Sequence, residues 1–233
     1  MNVPYRLEVL VHGRPIKVYS HEGEAYVEGR KGSEFTLRVH NDSSGNIEAV
    51  ITIDGLSVMN GKKGGYAVGG YLVRPYSYVD VPGWRLSNSA VAKFLFSERE
   101  EAYASLMDVP DNIGVIGCAV FPEKVKIPVF RDDDRPHLLG GPQTFGGRAM
   151  RGSASKGVGC GFGQQIDHKV TEVQFERLSL TVPTAVLKIL YGDKAQLKEW
   201  GVPLQESPKV ALNPFPCEPT GCVPPPGWRG GRR

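Results

Sequence analysis

Hydrophobic and polar residues alternate through much of the first half of the chain. "YRLEVLV" (5–11) alternates, "HGRP" turns the chain, and "IKVYS" alternates again. "AYVEGRKGSEFTLRVHN" holds two extended runs separated by Gly29 and Gly32. In the second run Phe35, Leu37 and Val39 share one face, and Glu34, Thr36, Arg38 and His40 share the other. That is the period of a half-buried strand. "DSSGN" has the composition of a hairpin turn, and after it Ile47, Ala49, Ile51 and Ile53 repeat with period two.

Further extended runs follow. "GYLVRPYSYVDVPGW" (70–84) is punctuated by Pro75 and Pro82, residues suited to edges and turns, and "AVAKFLF" (90–96) follows it. "NIGVIGCAVF" (112–121) is mostly apolar, as expected of a strand buried on both faces. Between them, Ser97 and Glu100 have the spacing of a capping box for a short helical turn. "KVTEVQFERL" (169–178) and "AVLKILY" (185–191) alternate again. "DKAQLKEWG" predicts a short helix with Asp193 as N-cap and Gly201 just past its end.

Strands at intervals of about ten residues, with turn signals between them, predict a mainly β, antiparallel β-sandwich of jelly-roll-like type. The predicted core is 1–121 plus 169–202. Residues 122–168 form a glycine-rich excursion, and 203–233 a proline-rich C-terminal arm with eight prolines.

Composition narrows the function classes only a little. The chain has 233 residues, 40% hydrophobic and 23% charged, within the range of globular proteins. A net charge of +3 makes nucleic acid an unlikely partner for the chain as a whole. No run approaches the ~18–20 apolar residues of a membrane helix, and the start does not read as a signal peptide. The expectation is synthesis in the cytosol and no membrane association. The four cysteines are too scattered for a secreted disulfide framework; Cys217 and Cys222 could close a small loop or stay free.

Candidate chemistry centres on "SASKGVGCGFGQQ" (153–165), where Gly157, Gly159, Gly161 and Gly163 alternate with Val158, Cys160 and Phe162. The spacing fits neither dinucleotide template, since Phe162 and Gln164 stand where a third glycine belongs; the P-loop signature is missing too. No cofactor is expected. In an extended segment the four glycines leave one face without side chains, able to approach another surface closely. Arg148, Arg151 and Lys156 make the neighbouring loop cationic. These residues, with the strip Gly157, Gly159, Gly161, Phe162, Gly163 and with Trp228 in the arm, are the expected subunit contacts.

Two other readings stay open. Cys160 could be a nucleophile with His168 as base, although no third, orienting group is marked. Arg148, Arg151, Lys156 and the terminal arginines could bind nucleic acid. "RDDDR" (131–135) reads as a solvated acidic turn rather than a metal site, because its spacing is not that of a calcium loop.

Several segments together carry a resemblance. They are "LRVHNDSSGNIEAVITIDGLSVMNGK", "GYLVRPYSYVDVPGWRLSNSAVAKFLFS" with "YAS" after it, "NIGVIGCAVF", "KGVGCGFGQ", "VTEVQFER" and "AVLKILYGDKAQLKEWGV". In this order they resemble a family of largely uncharacterised proteins of bacteria and tailed phages, over about residues 27–203. The resemblance brings no catalytic motif. It implies a virion structural protein, a capsid decoration or a head or tail accessory, made in the host cytoplasm and bound to neighbouring protein subunits.

Overall fold

The computed structural model describes residues 3–124 and 157–204. Two seven-stranded sheets pack face to face as a β-sandwich. The first sheet contains β1 (Tyr5–Val11), β2 (Arg14–Pro15), β5 (Glu34–Asn41), β9 (Ser77–Val81), β10 (Gly83–Arg85), β11 (Ala90–Glu98) and β13 (Val158–Asp167). The second contains β3 (Val18–His21), β4 (Glu24–Glu28), β6 (Ile47–Ile53), β7 (Leu56–Ser57), β8 (Tyr71–Val73), β12 (Val115–Pro122) and β14 (Ala185–Gly192). Two short helices, α1 (Tyr103–Leu106) and α2 (Lys194–Glu199), complete the fold.

The alternation produces the core directly. Phe35, Leu37 and Val39 of β5 point inward and meet Ile47, Ala49, Ile51 and Ile53 of β6 in one hydrophobic cluster with Trp84, Phe94, Phe96 and Tyr191. Each large side chain removed from water contributes roughly 1.5–3 kcal/mol before the entropy of ordering it is subtracted. The outer face of β5 is polar and cross-paired: Arg38 holds Asp80 through two hydrogen bonds of 2.7 Å, and His40 meets Glu8 at 3.0 Å. β12 is covered on both sides, as its apolar run predicts.

Three two-residue hairpins set the register. His12–Gly13, Glu22–Gly23 and Asp54–Gly55 each have both residues at positive φ, as in a type I′ turn, and join β1 to β2, β3 to β4 and β6 to β7. At the C-terminal end the expected cap forms: the Asp193 carboxylate accepts from the Gln196 N–H at 2.8 Å, and Gly201 follows with φ +74°.

The structure corrects the sequence reading in five places. The "DSSGN" segment is a crossover, because β5 lies in one sheet and β6 in the other. The fully buried Asn41 shapes it: its Nδ2 donates to the carbonyls of Gly45 (2.8 Å), Val73 and Arg74 (both 3.1 Å), and its Oδ1 accepts from Ser43. The sandwich is not wholly antiparallel, since β14 and β4 pair in parallel. Residues 158–167, expected in the excursion, instead form β13 and pair with β11 along its whole length.

Residues 169–178 form no regular strand. Their backbone is held at scattered points: Val170 N–H donates to Asn88 O, Glu176 O accepts from Lys124 N–H, and Leu178 N–H donates to Pro122 O. Alternation alone makes no strand without a continuous neighbour. The capping box is also absent: Ser97 lies within β11, and the residue flanking the following 3₁₀ turn, Glu98, makes no side-chain cap.

Candidate functional site

β13 is the centre of the site. Its antiparallel partner β11 carries Phe96 opposite Cys160 and Ser97 opposite Gly159. The side-chain alternation comes out as expected at the buried end, where Val158 and Cys160 enter the core. Phe162 stays 44% exposed and closes an aromatic group, parallel to Trp84 (centroids 6.2 Å) and tilted against Tyr103 (4.7 Å).

The glycine face is not left open for another molecule. A β-carbon on Gly159 would lie 2.4 Å from the Ala102 Cβ and 3.2 Å from Ile113. On Gly157 it would meet the Gln196 amide at 2.6 Å, on Gly161 Ser97 at 3.0 Å, and on Gly163 the Lys93 carbonyl at 2.8 Å. The surface that the strip touches is therefore this chain's own: the segment before α1, the first turn of α2, and β11. Glycine is required because backbone packs against side chain and backbone at distances that leave no room for Cβ. Of the expected contact residues, Phe162 alone among those described keeps a substantial exposed surface. Arg148, Arg151, Lys156 and Trp228 lie outside the described residues, as do Asp132–Asp134, Cys217 and Cys222.

A buried carboxylate, missed by the sequence reading, fixes β13 to the second sheet. Asp54 is the first residue of the β6–β7 turn and is fully buried. Its Oδ2 accepts from the Cys160 N–H at 2.8 Å; its Oδ1 accepts from the Gly114 N–H at 2.9 Å and from the Tyr191 hydroxyl at 2.6 Å. Burial raises its pKa to about 6, against the lowering effect of the Tyr191 hydroxyl and the backbone N–H groups. An Asp-Gly pair after an alternating run is a hairpin-turn signal that the sequence reading did not use, and nothing local marks the burial of its carboxylate.

Cys160 and His168 do not meet. Cys160 is fully buried; burial, then the Asp54 charge, push its thiol well above its ordinary pKa, so it is not a ready thiolate. His168 lies past the far end of β13, where its backbone N–H donates to Ser89 at the start of β11. Cys160 pairs near the opposite end of β11, so at strand spacing the two are on the order of 20 Å apart. His168 serves a different group. Its Nδ1 accepts from the Arg85 guanidinium at 2.7 Å, and Arg85 also donates to the Tyr71 hydroxyl at 2.8 Å. Burial, then Arg85, hold the His168 pKa below its usual value. Cys118 is also buried, its thiol pushed up to about 12.

A largely buried ion pair anchors the irregular 168–184 segment. Arg177 Nε donates to Glu48 Oε2 at 2.6 Å, and its other nitrogens donate to the carbonyls of Tyr66 and Val68. Its guanidinium lies 4.2 Å from the centre of the Phe121 ring. Glu48 Oε1 accepts from Gly70 N–H at 2.6 Å. One arginine thus ties three separate stretches across the outer face of the second sheet.

Among the described residues every buried side-chain nitrogen and oxygen has a partner, no group of three or more His, Cys, Asp or Glu gathers at metal-binding distance, and no helix is long and apolar enough to cross a membrane. The polar interior is thus spent on holding the two sheets and their loops together. The chain matches no family model, no curated protein and no solved structure.

Proposed function

We propose that the protein is a structural, interaction-type subunit, a virion component of tailed-phage kind that binds neighbouring protein subunits through its β-sandwich. The carrying observation is an exposed apolar row. Leu178, Leu180, Val182 and Val186 are each between 59% and 74% exposed along one short stretch leading into β14. Lone exposed apolar residues are ordinary, but four so close together in sequence, on a stretch flanked by the ion-paired Glu176 (with Lys124) and Lys188 (with Glu24), suit a protein interface. The Arg177 anchor supports the same reading, because it holds the row in one place before any partner arrives and so lowers the entropy cost of binding. The virion assignment rests on the resemblance of the chain's segments to bacterial and tailed-phage proteins.

Mass spectrometry of particles purified from lysates of cells carrying the gene tests this. The chain is expected in them, and a Leu180→Asp/Val182→Asp variant is expected to be folded yet lost from them. Absence of the natural chain overturns the virion assignment. Full incorporation of the variant overturns the role of the apolar row.

A further inference from the structure

β3 ends the second sheet, and its outer edge is open. The Glu22–Gly23 turn has two residues, so His21 and Glu24 close it as a hydrogen-bonded pair. Alternation along an antiparallel ladder then bonds Tyr19 to Tyr26 and turns the N–H and C=O of Val18 and Ser20 away from β4. Among the described residues nothing bonds these four groups from the open side. Sheet edges are commonly blunted by a proline, a bulge or a charge. Two other edges of the sandwich are blunted in this way. β2 ends on Pro15, and β13 has a break in register opposite Ala92–Phe94 and gives its Cys160 N–H to Asp54. β3 reads Val-Tyr-Ser-His in unbroken register with β4, and Val18 is 50% exposed.

Charge is also unevenly placed along this strand. Arg14, Lys17 and Arg30 line a cleft at its start, against the single carboxylate of Glu28. Glu22 follows its end, with a side chain 77% exposed. A parallel copy of the strand would set like charge against like. An antiparallel copy, related by a two-fold axis, sets the cationic start of each strand beside the acidic end of the other. The hydrogen-bond pattern is self-complementary in the same sense. With the axis at Tyr19, Val18 of each copy faces Ser20 of the other, and every outward N–H and C=O is paired. With the axis at Ser20, Val18 would face Glu22 in the turn; with the axis at Val18, Ser20 would face Ile16, whose N–H is already given to Val9 O. The Tyr19 arrangement places the two Tyr19 side chains at a non-hydrogen-bonded position, where cross-strand neighbours come closest. Lys17 then lies opposite His21 and next to Glu22 of the second copy.

We propose that the open edge of β3 binds a second copy of this chain, joining the two second sheets into one continuous sheet across a two-fold axis at Tyr19. A four-residue edge is a small contact, which suits a dimer that forms and separates with concentration. The proposal rests on neither the apolar row nor the virion assignment.

Sedimentation velocity of the full chain over a range of about 1–200 µM tests this, with a reversible monomer–dimer equilibrium as the expected result. Ser20→Pro removes an N–H that β4 does not use, so the fold's own ladder stays intact. It is expected to raise the dissociation constant about tenfold or more, with an unchanged circular dichroism spectrum. Val18→Lys keeps every backbone group and puts a charge on the edge; it should weaken the dimer likewise, and it decides the matter if Ser20→Pro does not fold. Glu22→Lys should also weaken the dimer, and Glu22→Lys joined with Lys17→Glu should restore it, because the charge at both ends is then reversed together. A chain that stays monomeric throughout overturns the proposal, and if it instead binds an extended peptide of alternating Val and Glu, the edge belongs to a different partner. A dimer that survives Val18→Lys, or a charge swap that fails to restore it, overturns the proposal too. So does a dimer kept in Ser20→Pro and lost in Leu180→Asp/Val182→Asp, which would place the contact on the apolar row.

Discussion

Asp54 accepts a hydrogen bond from the backbone N–H of Cys160 at 2.8 Å, joining a turn of one sheet to the edge strand of the other. The two residues are 106 positions apart in the chain. The same carboxylate takes the Tyr191 hydroxyl from β14 and the Gly114 N–H just before β12. One side chain thus fixes how β13 sits on the second sheet, and the glycines of β13 allow it to sit that close.

The Asp54 contact makes stability depend on pH in an unusual direction. The folded carboxyl has a pKa of about 6 against an ordinary 3.8, so the folded state binds the proton more tightly than the unfolded state does. The stability from this group is fully present below about pH 4 and is lost as pH rises through about 6. The gap corresponds to on the order of 3 kcal/mol. Urea unfolding at pH 4.5 and pH 8 checks this: Asp54→Asn is expected to flatten the difference. The variant carries its own cost of about 1–3 kcal/mol, because an amide NH₂ must face one of the three donors. A wild-type chain that gains stability steadily from pH 4.5 to pH 8, with the same slope in the variant, contradicts the assignment.

Much of the fold was legible because alternation is a local signal. Phe35, Leu37 and Val39, and Ile47 through Ile53, declare their buried face within one strand, and the core follows. Asp193 and Gly201 likewise mark the ends of α2 from within the helix. Asn41, Asp54 and Arg177 were illegible for the opposite reason. Their partners lie 32, 106 and 129 residues away, and a polar residue in a strand or turn looks solvated until the fold supplies those partners. The glycine strip stood between these cases. Its spacing announced a close approach, but the surface approached, Ala102 and Gln196, comes from other parts of the chain. Residues 169–178 show the limit from the other side: they alternate as a strand does, and the neighbour that would pair with them is missing over most of their length.

The buried thiols give a direct reading of the site's chemistry. Cys118 and Cys160 are both fully buried with raised pKa values. Alkylation by iodoacetamide at pH 8, followed by peptide mapping, is expected to leave both unmodified in the folded protein and to label both in urea. Rapid native labelling of Cys160 would instead mark it as a reactive nucleophile and reopen the hydrolase reading.

The Arg177–Glu48 pair is expected to be costly to break from either side, since each removal strands a buried charge. Arg177→Ala should destabilise by about 3–5 kcal/mol, the range for breaking a buried ion pair. Because Arg177 also carries the Tyr66 and Val68 carbonyls, limited proteolysis should then cut first in 168–184 and in 58–70, ahead of global unfolding. Glu48→Gln/Arg177→Met removes both charges together and should recover part of the loss. A double variant as unstable as Arg177→Ala would assign the cost to the Tyr66 and Val68 carbonyls left without their donor rather than to the stranded charge.

The closest approach in the glycine strip, Gly159 against Ala102, makes a reciprocal prediction. Gly159→Ala forces a β-carbon to within 2.4 Å of the Ala102 methyl, in a fully buried place where neither backbone has room to yield. Overpacking of this kind costs about 1–3 kcal/mol. Ala102→Gly alone should also destabilise, by opening a methyl-sized gap and loosening the backbone before α1. Joined in one chain, the two changes exchange the methyl between partners, so the double variant should be more stable than the sum of the single losses by about 1 kcal/mol or more. Ile113, 3.2 Å from the added carbon, keeps the rescue from being complete. Strict additivity in denaturant unfolding would mean that β13 and the α1 segment do not touch in this way, and the glycine face would again be free for another molecule.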